Sequence, residues 1–443
     1  MPATMEASPA VSYEHFSRQF RQLFDEIGRG DRAREAGRHL PIIPLERLRD
    51  AGLGAITVPR DDPDQHPVAN FETVLRLMMD LATEDVNVAH MWRSHVVFIE
   101  YLRAVSTPAE MRRWWQRLDV GEWGGSALSA TMEQVAQPTT VRADEVGNLT
   151  VSGTKYYSTG TLASTWTLVG VERDHDLALK RARQRRRHGE SGVRVEDCLP
   201  AMAVVAVKQP RVRVRDDWDG FGQRLTATGS LIMKDALAEA VYDRPDNSRR
   251  GILNVMLEVT LLALQAGIAR AALRDGMTAL QQRTRVFNTS TGSVPREDDQ
   301  LLGIIGELSA KSALCEQSVR AVGAQLDEVI AAGDGSDDGS DDGTGEGTEE
   351  GAGEGAASGS GWVETLVASQ RAAITVPSLA LEVCTGIFDV LGASATSTDL
   401  ALDRHWRNAR TLATHDPSVF KARMVGNWEV NGVVPSTYLA QNR

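Results

Sequence analysis

Leu149-Thr150-Val151-Ser152-Gly153-Thr154-Lys155-Tyr156-Tyr157 reads as strand, turn, strand, and this stretch decides the fold class. Its β-branched residues suit a pleated, half-buried surface. Upstream the spacing is helical. Phe16, Phe20, Leu23, Phe24 and Ile27 predict an amphipathic helix over 13–35. Leu45 to Ala51 forms a shorter helix that Gly52 and Gly54 end, and Ile56 to Pro59 runs extended. A long helical region covers Phe71 to Leu102, with a break at Glu84 to Asn87. Downstream the β pattern continues through Thr165–Val171, Ala201–Val207, the alternating Arg211-Val212-Arg213-Val214-Arg215, and Leu231–Lys234. Helical spacing then returns in Leu253–Leu273, Asp299–Ala332 and Trp362–Asp389.

The class is therefore α+β, in the order helices, sheet, helices. We expect an N-terminal helical domain over 10–120, a middle antiparallel β domain over 121–245 with a barrel as one form open to it, and a C-terminal four-helix bundle over 246–443. Two tracts stand outside that pattern. Residues 173–198 carry Lys180, Arg181, Arg183, Arg185, Arg186 and Arg187. No aromatic residues are interleaved for base stacking, so a solvated basic loop is expected there. Residues 333–361 consist of Gly, Asp, Glu, Ser, Thr and Ala almost throughout. They cannot bury a core, and a disordered acidic loop between two helices is expected.

Composition narrows the function. The 443 residues carry a net charge of -12, which disfavours nucleic-acid and anionic-membrane partners. The three cysteines, Cys198, Cys315 and Cys384, are far apart in sequence. That pattern fits a reducing compartment, taken as the cytoplasm, and no cysteine-rich zinc site. The N-terminus shows no basic-then-apolar signal pattern, and no run approaches ~20 uninterrupted apolar residues. Nucleotide-binding glycine fingerprints, metal-type His/carboxylate spacings and Gly-x-Ser-x-Gly are absent.

Four segments rise above this background. Trp123-Gly124-Gly125-Ser126-Ala127-Leu128-Ser129 has the small residues that let backbone amides approach a flat ligand; a tight crossing turn explains it equally well. Lys155-Tyr156-Tyr157-Ser158-Thr159-Gly160 gathers hydroxyls at a strand end, as a ring-edge site or an ordinary terminus would. Asp217-Trp218-Asp219-Gly220-Phe221-Gly222-Gln223-Arg224 is followed by Thr226-Ala227-Thr228-Gly229-Ser230. Asp403-Arg404-His405-Trp406-Arg407-Asn408-Ala409-Arg410-Thr411 is followed by Thr414-His415-Asp416-Pro417.

In this order the four segments resemble the acyl-CoA dehydrogenase superfamily. The resemblance covers nearly the whole chain except the basic insertion and the acidic tract. Trp218 to Ser230 is similar to the family's Trp-Asp-x-x-Gly-x-Arg-x-Thr-x-Ser/Gly segment. Dehydrogenases of this fold commonly place a catalytic glutamate late in the chain. Here Thr411 to Pro417 holds none and offers His415-Asp416-Pro417 instead. That ending resembles the flavin-dependent monooxygenase branch, which includes dibenzothiophene monooxygenase, sulfur-acquisition enzymes and amine N-hydroxylases.

The resemblance implies a two-component monooxygenase. Reduced FMN (FMNH2) would come from a separate NAD(P)H:flavin reductase, and O2 would form a C4a-hydroperoxide that oxygenates a small-molecule substrate at sulfur, nitrogen or carbon. FAD is the alternative flavin. The catalytic residues it implies are His415 as acid/base, Thr159 at the flavin N5 or peroxide, and His95 on the pocket wall, with His90 as a competitor. Cofactor-binding residues would be Ser126, Ser129, Tyr157, Ser158, Thr159, Gly160, Trp218, the phosphate-contacting Arg285, and Ser394, which stands where a relative has a second phosphate arginine. A homotetramer is implied as well. The rival readings are an FAD-dependent acyl-CoA dehydrogenase and a catalytically silent scaffold.

Overall fold

The computed structural model describes residues 13–59, 67–129, 138–290, 292–334 and 360–435. The chain forms two compact units, Met1–Val68 with Glu84–Pro245, and Ala69–Thr83 with Asp246–Arg443.

In the first unit the N-terminal apolar stripe forms α1 (Tyr13–Gly28), which buries Phe16, Phe20, Phe24 and Ile27. The helix expected over 13–35 is divided, because the chain turns at Arg29-Gly30 before α2 (Asp31–Gly37). α3 (Ile42–Asp50) leads into a 3₁₀ turn, Leu53–Ala55. The expected break near 84–87 falls at Asp85, between α4 (Phe71–Glu84) and α5 (Val86–Val105). The Asp85 carboxylate caps α5 by accepting from the amides of Asn87 and Val88, which satisfies two otherwise orphaned donors. Arg34 also donates to Asp85, at 2.8 Å, so α2 is tied to the start of α5. Burial, opposed by Arg34, raises the Asp85 carboxyl to about 6. α6 (Pro108–Asp119) begins with a capping box formed by Thr107 and Glu110.

Among the described residues seven strands follow: β1 (Gly124–Ala127), β2 (Thr140–Ala143), β3 (Leu149–Lys155), β4 (Trp166–Arg173), β5 (Pro200–Ala206), β6 (Val212–Val214) and β7 (Leu231–Asp243). β2, β3, β7, β5 and β4 pair in a closed circuit, so the barrel form holds. β1 extends along β4, and β6 pairs with β7. The pairing is not wholly antiparallel, since β1 and β2 both run parallel to β4. Residues 149–155 form one strand with an irregularity between Val151 and Gly153, not two strands about a turn. The interior is filled by Val141, Val151, Val169, Val171, Ala203, Val205, Leu231 and Met233.

The N-terminal helices other than α4 share a unit with this sheet, so the boundary expected at 120/121 lies inside one compact body. Trp114 of α6 donates to the Tyr242 hydroxyl of β7 at 3.0 Å. Arg117 lies over both Trp114 and Trp166. The basic insertion is also not a loop. It folds as α7 (His175–Arg187), capped by Asp174, with Ala178 and Ala182 packed on Val193 and Cys198. Small apolar residues four apart give the helix a buried face that its charge pattern hides.

In the second unit, α8 (Asn247–Gln282), α9 (Asp299–Asp334) and α10 (Ser360–Leu391) pack on one another, with α11 (Asp403–Leu412) and α12 (Ser418–Asn431) against α10. α4 belongs here. Asp327 of α9 caps it through the amides of Phe71 and Glu72, and Arg270 of α8 pairs with Asp80 at 2.7 Å. By length and hydropathy two segments could cross a membrane, Arg249–Gln282 and Gly361–Thr396. The first is 78% buried, as a core bundle helix is. Residues 335–359 of the acidic tract lie outside the described residues, as does the disorder expected for them.

Candidate active site

Three segments of the first unit converge on the stretch after β3. Ser158 is fully buried, and its hydroxyl donates to the Gly229 carbonyl at 2.6 Å. The Gly160 amide donates to the Thr226 carbonyl at 2.9 Å, and the Ser126 amide to the Thr159 carbonyl at 3.2 Å. Residues 156–160 are thus pinned between β1 and the 223–230 loop. Gly160 has φ +73°, and an added Cβ would lie 3.3 Å from the Ser94 Cβ, so glycine suits both its conformation and its packing.

The pinning sorts the expected site residues. Thr159 stays half-buried, Ser129 and Tyr157 are exposed, and Ser126 is buried. Ser158, expected on the cofactor, has its hydroxyl turned inward to hold the loop. Trp218 is half-buried and donates from Nε1 to the Gly222 carbonyl at 3.0 Å. Its ring lies beside Tyr156 and Tyr157, with centroids 5.8 and 6.2 Å away. Arg38 donates to its carbonyl at 2.7 Å.

His95, expected as a catalytic residue, is committed to the fold. Its Nε2 lies 2.9 Å from the Gly54 carbonyl, which can only accept, so Nε2 carries the proton. Nδ1 then accepts the Gly124 amide at 3.0 Å. The ring stacks on Trp123 at 4.2 Å. Burial, reinforced by Arg49, lowers its pKa to about 4, so the ring is neutral near pH 7. Gly54 is required by the close approach, because a Cβ there would come within 2.8 Å of Trp123.

His90, one turn earlier, donates from Nδ1 to the Gln223 side-chain oxygen at 2.8 Å. Gln223 and Ala227 both adopt left-handed backbone conformations, with φ 53° and 50°. Such strain persists only where the surroundings hold it, here through His90 and through Asn87, which accepts the Leu225 amide. The Thr226 and Thr228 hydroxyls lie 2.7 Å apart, and Thr228 donates to Thr159 at 3.2 Å. Sequence reading quoted both threonines without giving them a role. No periodic signal marks them, because the left-handed turn at Ala227 is what brings the two hydroxyls together.

The second unit holds the remaining candidates. Arg285 is exposed on an extended segment after α8. Arg283 donates to the Leu391 carbonyl and stacks over Phe287, 4.3 Å from its centroid. Phe287 in turn lies against Gly392, so the segment carrying Arg285 adjoins the turn carrying the exposed Ser394. His415 is exposed in the turn between α11 and α12. Its neighbour Asp416 accepts from Lys421 at 2.7 Å, Lys421 reaches Glu258 of α8 at 2.6 Å, and Glu258 accepts from Gln370 of α10 at 2.7 Å. Burial raises the Glu258 carboxyl even against the pull of Lys421.

α11 is fixed separately. Asp275 of α8 accepts from Arg404 at 2.7 Å and from His405 Nε2 at 3.0 Å. Burial alone would raise the Asp275 carboxyl, but His405 and then Arg404 hold it well below the carboxylate range. Arg407 pairs with Asp403 within its own helix.

With this geometry in place, comparison with known proteins bears on the chain's class. The acyl-CoA dehydrogenase C-terminal domain family matches residues 349–418, which include α10, α11 and the His415 turn. Among solved structures, the methanesulfinate monooxygenase of Pseudomonas fluorescens superposes with a TM-score of 0.78 at 23% identity, covering 95% of this chain and 98% of that one. The fold is that of the acyl-CoA dehydrogenase superfamily.

Within that fold, the resemblance is to the flavin-dependent monooxygenase branch, as expected from the sequence. Dibenzothiophene monooxygenase from Mycolicibacterium goodii is 25% identical over 407 residues, 88% of this chain and 87% of the relative. A probable FMNH2-dependent monooxygenase of Pseudomonas putida is 23% identical over 410 residues, 89% and 90% of the two chains.

Proposed function

We propose that the chain is a monooxygenase that takes reduced FMN from a separate NAD(P)H:flavin reductase and places one atom of O2 on a small organic substrate, with organic sulfur as the favoured acceptor. The reading rests above all on near-full-length similarity to reduced-flavin monooxygenases, combined with His415-Asp416-Pro417 where a dehydrogenase glutamate is common. The residues suit the cofactor. The half-buried Thr159 hydroxyl, the exposed Ser129 and the Tyr157 ring suit a flat ring with a hydrogen-bonding edge. The exposed Arg285 suits a phosphate.

Bound reduced flavin supplies two electrons and the activation of O2. One oxygen atom goes to the substrate, and the other leaves as water with the two hydrogens of the reduced flavin. Thr159 holds the ring edge. The His415 imidazole moves a proton to the departing oxygen, the acid/base task that a histidine side chain is suited to. His95 and Ser158 position the loops that carry Ser126 and Thr159. We take the assembly to be a homotetramer, as the resemblance implies; Leu302, Leu314, Val419, Phe420 and Val430 are exposed apolar side chains on α9 and α12 that an interface between copies would cover. The three cysteines are free and buried, in keeping with a reducing cytoplasm.

The test mixes the protein anaerobically with reduced FMN and then admits ¹⁸O₂ with an organosulfur substrate. A flavin spectrum that is neither reduced nor oxidised, with one labelled atom in the product, is the expected result. Purification with tightly bound FAD that an acyl-CoA bleaches would overturn the reading in favour of a dehydrogenase.

A further inference from the structure

Trp218-Asp219-Gly220-Phe221-Gly222 closes on itself. Trp218 Nε1 donates to the Gly222 carbonyl at 3.0 Å. The Trp218 ring lies so close over Gly220 that an added Cβ would meet it at 2.3 Å. The five residues are thus one compact turn packed on its own indole. Both feet of the turn are anchored. At the first, Asp217 accepts the Ser230 amide at 2.7 Å, and the Arg215 amide donates to the Ser230 carbonyl at 2.9 Å. At the second, the buried Gln223 takes a left-handed φ of 53°, with its side chain on His90 and the next residue but one, Leu225, on Asn87. Between them Arg224 lies 3.6 Å from Glu35 of α2. The tip faces outward. Asp219 is exposed, and Phe221 keeps 55% of its surface open.

Two contacts near the surface hold the tip down. Arg38, just past the end of α2, donates to the Trp218 carbonyl at 2.7 Å. Tyr156 Oη donates to the Asp219 carboxylate at 2.8 Å, and it lies 3.4 Å from the Asp217 carbonyl and from the Asp219 amide. Of the five non-glycine residues with positive φ among the described residues, three meet here: Arg38, Gln223 and Ala227. Such backbone persists only where surrounding contacts impose it, and it gathers at parts of a fold that switch. We infer that residues 218–222 are a flap that opens as a unit about Asp217 and Gln223, with Arg38 and Tyr156 as its latches. Opening lifts the Trp218 ring from Tyr156 and Tyr157, whose centroids lie 5.8 and 6.2 Å away, and uncovers that aromatic surface to a ligand. The Gln223 foot stays in place because His90 and Asn87 are buried, whereas Arg38 is exposed and Tyr156 half-buried, so water competes for the bonds of the latches. The flap belongs to the first unit alone and holds whatever ligand the site takes.

Chymotrypsin cuts after aromatic residues only where the backbone is open. The initial rate of cutting after Phe221 in the full-length protein therefore reads the open population of the flap, and mass spectrometry of the fragments gives that rate. Arg38→Ala and Tyr156→Phe should each raise it roughly two- to tenfold, the scale of one lost hydrogen bond. The double variant should show the product of the two increases, since both contacts break together on opening. Arg38→Lys, which keeps a donor, should fall back toward the wild-type rate. The midpoint of urea denaturation should stay at the wild-type value in all four, because the latches lie outside the buried core. Wild-type rates in both single variants, or no cut after Phe221 in any of the proteins, would overturn the inference. So would a rise in rate that tracks a fall in the urea midpoint, because the whole unit would then be loosening. A wild-type protein that binds no flavin would overturn the proposed function and leave the flap untouched.

Discussion

Lys421 of α12 lies 2.7 Å from Asp416, the residue directly after His415, and 2.6 Å from Glu258 of α8. One buried ammonium therefore ties the turn that presents His415 to the core of the helical unit. Lys421→Met would leave Glu258 buried without its cation and release Asp416. Breaking a buried pair in this way costs about 3–5 kcal/mol, measurable by urea denaturation. Lys421→Arg should recover part of the stability and part of the turnover. A Lys421→Met protein as stable as wild type would show that the cluster does not hold the turn.

His415→Ala should lower substrate oxygenation by about 100-fold, the usual scale for a lost acid/base group. His415 is exposed, so stability and FMN affinity should stay near wild type. Rapid-mixing assays with pre-reduced FMN, paired with flavin titration, check both halves. Loss of flavin binding would make His415 a binding residue instead.

The stability that His95 carries should fall as the medium is acidified from pH 6.5 toward 4. Asp85, raised to about 6, takes up its proton in the same window and opposes that fall, so the His95 part is read as the difference between wild type and His95→Gln. The folded pKa of His95 is about 4 against an ordinary 6.5, so in this window the unfolded chain binds more protons than the folded one. The contribution is fully present above pH 6.5 and is lost as pH falls through the window. The difference corresponds to about 3 kcal/mol. His95→Gln, which cannot be protonated, should lose this part of the pH slope. An unchanged slope in chemical denaturation across the window would show that His95 is not held neutral.

Arg285→Ala should weaken FMN binding by about tenfold, the scale of one charge-assisted phosphate contact. Riboflavin has no phosphate, so its affinity should not change. Comparative titration of the two ligands isolates the phosphate contribution. An equal loss for both would place Arg285 away from the phosphate.

Much of the fold was legible because period and punctuation are local properties. The switch from helical to strand spacing near Leu149, the return to helix after Ile252 and the break at Asp85 all come from neighbouring residues. Sequence by itself also determined that residues 411–417 hold His415-Asp416-Pro417 and no glutamate, since residue identity needs no coordinates. Tertiary structure decided what local pattern cannot encode. α7 is a helix because Val193 and Cys198 return to cover its alanines. α4 joins the helical unit because Asp327, far along the chain, caps it. The polar atoms of His95 and Ser158 are engaged by Gly54, Gly124 and Gly229, which come from distant segments. Whether a polar side chain is free for chemistry depends on which distant backbone groups claim it, and only the folded chain brings those groups together.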